Sequence, residues 1–300
     1  MRKINAKDII LQAAIDGKVL IKIWAINIIR ENEEKVHPAS IAASNWRKKI
    51  IVSTFFKLIE KPLKENEIIS NRYKILSFLG RGGYGYTYLV YDEIKKQEVV
   101  LKTLRLHKRI RKKEQRRFQK EQDILQSLNT SSFPKFYDRG FINGKIPYFT
   151  MEFIKGKTLE AWLFDEKQKW SEKQAFQFGL KLVELVDILH KNHIVHRDIH
   201  LPNLIVANNQ LKLIDFGLAK KWERDEAYLL ADDFFGIGQI LLFLLYSSYE
   251  PRNKQKEKSW QQELQLTREA EILLKKLLAL EAPFYNCQQI KKALLLLIEK

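Results

Sequence analysis

Asp198, Asn203 and Asp215 carry hard oxygen donors and lie close together in the chain. They sit in His196-Arg197-Asp198-Ile199-His200-Leu201-Pro202-Asn203, then the apolar run Leu211–Ile214, then Asp215-Phe216-Gly217. Such donors suit Mg2+, which takes few protein ligands and shares phosphate oxygens. Asp198 can also accept a hydroxyl proton. Upstream, Gly80-Arg81-Gly82-Gly83-Tyr84-Gly85 fits G-x-G-x-x-G, where absent Cβ atoms let backbone amides approach phosphates. A dinucleotide site would need a helix directly after these glycines; here a strand-like run follows, which leaves a glycine hairpin folded over a nucleotide. Lys102 ends the apolar run Val99-Val100-Leu101, and Glu121 follows on a helical stretch. A buried lysine aimed at phosphates needs a carboxylate to hold it. Each motif alone is weak. Their occurrence in this order points to phosphoryl chemistry on a nucleotide.

The elements that must position these groups follow from the patterning. Tyr73–Leu79, Tyr86–Tyr91 and Gln97–Thr103 read as strands, Arg105–Leu128 as one helix, and Ile146–Ile154 as a strand after the hairpin signal Asn143-Gly144. Ser171 with Gln174 forms a capping box opening a helix to about Lys191, and the chain after Asp215 is mainly helical. A β-rich half followed by an α-rich half predicts an α+β fold with a crevice between lobes. The boundaries expected are a helical N-terminal extension over 1–70, a β-rich lobe over 71–155 and a helical lobe over 156–300. In the extension, Ile9, Ile10, Ala13, Ala14, Leu20, Ile23, Trp24 and Ile28 recur at helical spacing, and Ile41–Ile59 reads as a further helix. Pro62 and Lys64-Glu65-Asn66-Glu67 mark a linker.

The 300 residues are 45% hydrophobic and 11% aromatic, enough for a real core and unlike a disordered chain. The single cysteine, Cys287, excludes an intrachain disulfide framework and a multi-cysteine zinc site. No run reaches the roughly 18 uncharged apolar residues of a membrane helix, and Lys7 and Asp8 break any signal-peptide core. A soluble, cytoplasmic protein without a transmembrane segment is expected. The formal charge of +17 predicts attraction to anions. Nine basic residues against Glu114 alone over Arg105–Lys120 could dock an acidic substrate or an anionic surface. No aromatic interleaving supports nucleic-acid stacking there.

This motif set resembles the eukaryotic-type (Hanks-type) serine/threonine protein kinases, of the compact bacterial kind, over about residues 72–300. The resemblance implies a bilobal kinase fold acting on protein hydroxyls with ATP and Mg2+. Gly80, Gly82 and Gly85, with Arg81 and Gly83 between them, would cover the phosphates. Lys102 would bind them while paired with Glu121. Met151-Glu152-Phe153-Ile154 would form the hinge, Met151 as gatekeeper and the backbone of Glu152 and Ile154 meeting adenine. Thr87, Val100 and Ile205 would line the nucleotide site. Asp198 would be the catalytic base, Asn203 and Asp215 the metal holders, and Asp233 the anchor of the catalytic loop.

The sequence also departs from the family pattern. His200 stands where lysine is usual, as in antibiotic- and choline-type phosphotransferases, and is a candidate for contact with the transferred phosphate. Thr87 and Val100 replace the usual valine and alanine beside adenine. Only seventeen residues, Phe216–Asp232, follow Asp215 before Asp233, with no A-P-E motif, no serine or threonine, and Tyr228 as sole hydroxyl. Glu223, Asp225 or Glu226 is expected to pair with Arg197 in place of a phosphate. A kinase of a small molecule or other non-peptide acceptor, and a nucleotide-binding pseudokinase scaffold, are the alternatives.

Overall fold

The computed structural model of the chain describes residues 62–82, 85–109, 111–208, 210–250 and 259–299. The helices expected in the extension lie outside the described residues. The β-rich half begins with β1 (Ile68–Ile69), β2 (Tyr73–Arg81), β3 (Gly85–Asp92) and β4 (Gln97–Leu104). Two helices follow, α1 (Leu106–Arg109) and α2 (Lys112–Ser127), then β5 (Phe136–Ile142) and β6 (Ile146–Glu152). The six strands form one antiparallel sheet in the order β1-β2-β3-β4-β6-β5. Asn143 and Gly144 turn β5 into β6 with φ of 50° and 67°, as that dipeptide predicts.

Alternation fixes what each face of the sheet does. Thr87 pairs with Lys102 and Leu89 with Val100, facing the cleft. Tyr88 pairs with Leu101 and Val90 with Val99 on the opposite face. The single helix expected over Arg105–Leu128 is instead broken. Arg111 is extended (φ −96°, ψ 110°) and caps α2 without a side-chain hydrogen bond. Phe118 of α2 packs against Phe149 of β6, centroids 5.1 Å apart.

The second half contains β7 (Lys157–Thr158), α3 (Leu159–Phe164), α4 (Glu172–Lys191), β8 (Ile194–Val195), β9 (Leu204–Ala207), β10 (Gln210–Leu213) and β11 (Lys220–Lys221). It ends with α5 (Leu230–Tyr246), α6 (Trp260–Glu263), α7 (Arg268–Leu277) and α8 (Cys287–Ile298). The small sheets are β10-β9-β7 and β11-β8. Ser171 and Gln174 close the expected capping box on α4. Leu182, Val183 and Val186 of α4 share one core with Ile237, Leu241 and Leu244 of α5.

The helical stretch Glu226–Tyr246, with mean hydropathy 1.6, is long and apolar enough by length and composition to cross a membrane. Asp232 and Asp233 lie within it, so it is not an uncharged apolar run of membrane length. In the fold 61% of that apolar window is buried, and α5 packs against α4 and α7.

Candidate active site

The glycine hairpin joins β2 to β3. A Cβ on Gly85 would meet the Thr103 carbonyl oxygen at 2.3 Å, so only glycine lets β3 approach β4 there. Gly80 has open space where a Cβ would point, and Gly82 has nothing nearer than 3.9 Å. Gly83 lies outside the described residues. The Arg81 guanidinium turns over the Tyr86 ring, 5.9 Å from its centroid, on the face away from Lys102. The structure therefore does not bring the Arg81 side chain to the other site residues.

Lys102 is held between the halves. Its Nζ donates to Glu121 Oε1 of α2 at 2.6 Å and to Asp215 Oδ1 at 2.8 Å. Lys102 and Glu121 are buried, while the Asp215 side chain keeps an exposed edge. Burial pulls the Lys102 ammonium down, but Asp215 and Glu121 outweigh it and raise it above its ordinary value. Burial pushes the Glu121 carboxyl up against the pull of Lys102. Desolvation would raise Asp215 too. The Lys102 charge and hydrogen bond, with the Gly217 N–H, instead lower it to about 2. Asp215 takes a left-handed backbone, φ 62°, a strained conformation for a residue with a Cβ and one that recurs at functional sites.

The second group lies on the loop between β8 and β9. Asn203 Nδ2 donates to the Asp198 carbonyl at 2.9 Å and to its Oδ2 at 3.3 Å. His200 Nδ1 donates to the same carbonyl at 2.8 Å. The Asn203 carbonyl accepts from the Ile214 N–H at 2.9 Å, tying this loop to the residue before Asp215. Beneath it, Asp233 of α5 is fully buried. It accepts from the His196 N–H at 3.0 Å and the Arg197 N–H at 2.7 Å. His190 Nε2 lies 2.8 Å from the same carboxylate. Burial holds His196 below its ordinary value, and its ring meets Phe216 at 4.9 Å.

Sequence reasoning did not single out His190 or Gly236 as functional. His190 had no signal beyond a histidine near the end of a buried helix face. Gly236 lies one turn after Asp233, and a Cβ there would meet the Ile199 carbonyl oxygen at 2.7 Å. The partner of Arg197 is also corrected. Its Nε donates to Asp232 Oδ2 at 3.0 Å, whereas Glu226 pairs with Lys220 and Glu223 caps the turn over Arg224–Leu229. Asp232 wins because it precedes the buried anchor Asp233 and so lies beside the loop that carries Arg197.

At the hinge, Met151 is buried and pairs with Val100 across β6 and β4. The Glu152 N–H donates to the Lys135 carbonyl at 2.8 Å. Ile154 and Ile205 pack together with Ala207 and Ile214 into a small apolar floor. Thr87 faces the same side as Lys102. In the basic run, Arg105 is buried, and buried Glu114 lies 3.6 Å from Lys108 and 4.0 Å from Arg117. Lys112, Lys113, Arg116 and Lys120 remain exposed on α2.

Residues 73–237 match the protein kinase domain family. The chain is 41% identical over 241 residues to a probable serine/threonine-protein kinase of Bacillus subtilis, YbdM, covering 79% of this chain and 93% of the relative. It is 34% identical over 152 residues to the serine/threonine-protein kinase PrkC of the same organism, covering 50% of this chain and 23% of PrkC. Among solved structures, the PknI kinase domain of Mycobacterium tuberculosis shares the fold. The TM-score is 0.60 at 18% identity, over 78% of this chain and 98% of that one.

Proposed function

The chain belongs to the protein kinase family, and from that premise we propose that it transfers the γ-phosphate of ATP to serine and threonine hydroxyls of a protein, with Asp198 as catalytic base. The observation that carries this reading is the double contact of Lys102 Nζ, at 2.6 Å from Glu121 and 2.8 Å from Asp215. It ties the phosphate-facing strand, α2 and the second half into one arrangement, open at Gly80 and Gly82. Phosphoryl transfer needs aligned oxygens and charge neutralisation more than covalent help from the protein.

The donor set fits Mg2+. Asp215 is ionised at neutral pH. Asn203 engages its Nδ2 with Asp198, so its amide oxygen is left to face a cation. Two oxygen donors suit an ion which takes few protein ligands and completes its shell on phosphate. When bound, Mg2+ supplies charge neutralisation at the phosphates. Asp198, oriented by Asn203, would take the proton from the acceptor hydroxyl. His200, fixed by its bond to the Asp198 backbone, would present Nε2 towards the acceptor side. The exposed lysines and arginine of α2 support an acidic acceptor protein.

The test compares wild type with Asp198→Asn in transfer from labelled ATP, with mass spectrometry of the acceptor residues. Loss of the base should lower the rate by about 10²–10⁴. An undiminished rate would overturn the assignment of Asp198. Label found only on a small-molecule acceptor would overturn the protein substrate.

A further inference from the structure

Asp233 of α5 meets more than the two amides of the loop that carries Asp198. Its carboxylate accepts from the His196 and Arg197 N–H groups, and His190 Nε2 lies 2.8 Å from its Oδ2. His190 stands on the last turn of α4, with its ring tilted over Phe234, centroids 5.5 Å apart. The other ring nitrogen, Nδ1, lies 3.5 Å from Cys287 Sγ at the start of α8. All three side chains are buried. A line of thiol, imidazole and carboxylate thus runs from α8 through α4 and α5 to the candidate base, although Cys287 and His190 are 97 residues apart in the chain.

Chemistry assigns the protons along this line. A carboxylate that accepts two backbone N–H groups offers His190 an acceptor as well, so the Nε2 proton points at Asp233. Nδ1 then turns a lone pair to the sulfur. Burial, with Asp187 nearby, pushes the Cys287 thiol up to about 12, so the sulfur keeps its proton at neutral pH and has it to donate. The opposite tautomer would set an Nε2 lone pair against the Asp233 oxygen. Which ring nitrogen is protonated depends on what the other one meets, and a buried lone pair deprived of its donor costs free energy. The seat of α8 does not depend on this contact. Lys291 Nζ donates to Asp187 Oδ2 of α4 at 2.7 Å, and Ile290 and Leu294 of α8 are buried in the core.

We propose that Cys287 is a positioning residue for phosphate transfer, acting through His190: its thiol holds the imidazole as the Nε2–H tautomer, and the imidazole orients the Asp233 carboxylate that fixes the amides preceding Asp198. The role rests on Asp198 being the base. It makes the last helix of the chain part of what aligns that base, with no contact between Cys287 and substrate.

The experiment uses the full chain labelled with 15N-histidine. Long-range 1H–15N correlation spectra near neutral pH report the ring tautomers, and His190 is identified as the ring missing from His190→Gln. Transfer from labelled ATP to casein gives kcat and KM for the same proteins. Wild type should show His190 protonated on Nε2 alone. Cys287→Ala should lose that signature to a doubly protonated ring or a mixture of tautomers, and lower kcat by about 3–10-fold at unchanged KM for ATP, a part of the roughly 10²-fold that a 1 Å misplacement costs. Cys287→Ser keeps a donor and should restore both. Ile290→Val trims a core side chain of the same helix and should lower the melting temperature while leaving tautomer and kcat alone. A wild-type ring carrying a proton on Nδ1 would overturn the proposal, and this readout needs no variant to fold and no turnover. So would Cys287→Ala with wild-type tautomer and kcat, or a loss of kcat that Cys287→Ser does not restore, which is the mark of packing alone. A wild type with the Nε2–H ring but no transfer to any protein would overturn the assigned reaction, and this role with it.

Discussion

Gly236→Ala and Gly238→Ala place the same methyl group two residues apart on α5, facing different neighbours. At Gly236 the new Cβ would lie 2.7 Å from the Ile199 carbonyl oxygen and 2.8 Å from the Ile199 Cβ. Carbon atoms at rest in van der Waals contact sit at about 3.5–4.0 Å, so α5 and the loop that carries Asp198 must part by roughly 0.7–1.2 Å. Ile199 adjoins Asp198, and Asp233 on the same helix holds the amides of His196 and Arg197. The displacement is therefore passed to the candidate base. At Gly238 the Cβ would instead meet Leu277 Cβ at 2.9 Å and Leu278 Cδ2 at 3.1 Å, on the side of α7. Overpacking costs about 1–3 kcal/mol in each case, offset by roughly 1 kcal/mol of helix propensity gained on leaving glycine. Both variants should thus lose a similar, small amount of stability in thermal unfolding. Only Gly236→Ala should lose single-turnover transfer from labelled ATP to casein, by roughly 10–10²-fold, since a shift near 1 Å costs up to about 10²-fold. Equal rates for the two variants, both folded, would refute the claim that α5 positions the loop through this contact.

Asp215 is held at about 2 against an ordinary 3.8, so its contribution to stability is complete above the ordinary value and is lost as pH falls through about 2. The melting-temperature gap between wild type and Asp215→Asn should narrow steadily on acidification from about pH 5; a constant gap would refute the pairing with Lys102. Ser171→Ala removes the side-chain half of the capping box on α4, the bond from the Gln174 N–H to Ser171 Oγ, and should cost about 1 kcal/mol in denaturant unfolding without changing the transfer rate. The pair Arg197–Asp232 is more than a third exposed on both sides, so Asp232→Ala should change stability by no more than about 1 kcal/mol. It should nevertheless reduce transfer more than Glu223→Ala does, and the reverse order in the same assay would return the role to Glu223.

Much of the site was legible because its chemistry demands particular residue types. A lysine after an apolar strand, a glycine hairpin and three oxygen donors in fixed order leave few alternatives, and Ser171 with Gln174 announces a helix start on local grounds alone. Other features depend on distances that no local pattern encodes. Glu223, Asp225, Glu226 and Asp232 are chemically interchangeable as partners for Arg197, and only the burial of Asp233 selects its neighbour. The break between α1 and α2 carries neither glycine nor proline, and Arg111 caps without a side-chain bond, so the helical pattern ran through it. The two-residue strands β1, β7, β8 and β11 are too short to show alternation. Arg81 shares its motif with the glycines, yet its side chain leaves for Tyr86, because adjacent strand residues point to opposite faces.

The carboxylate that meets Arg197 is made by translation, not added by a second enzyme. A segment steadied in this way needs no phosphate group to meet that guanidinium, and residues 216–232 hold no serine or threonine from which a phosphatase could strip one.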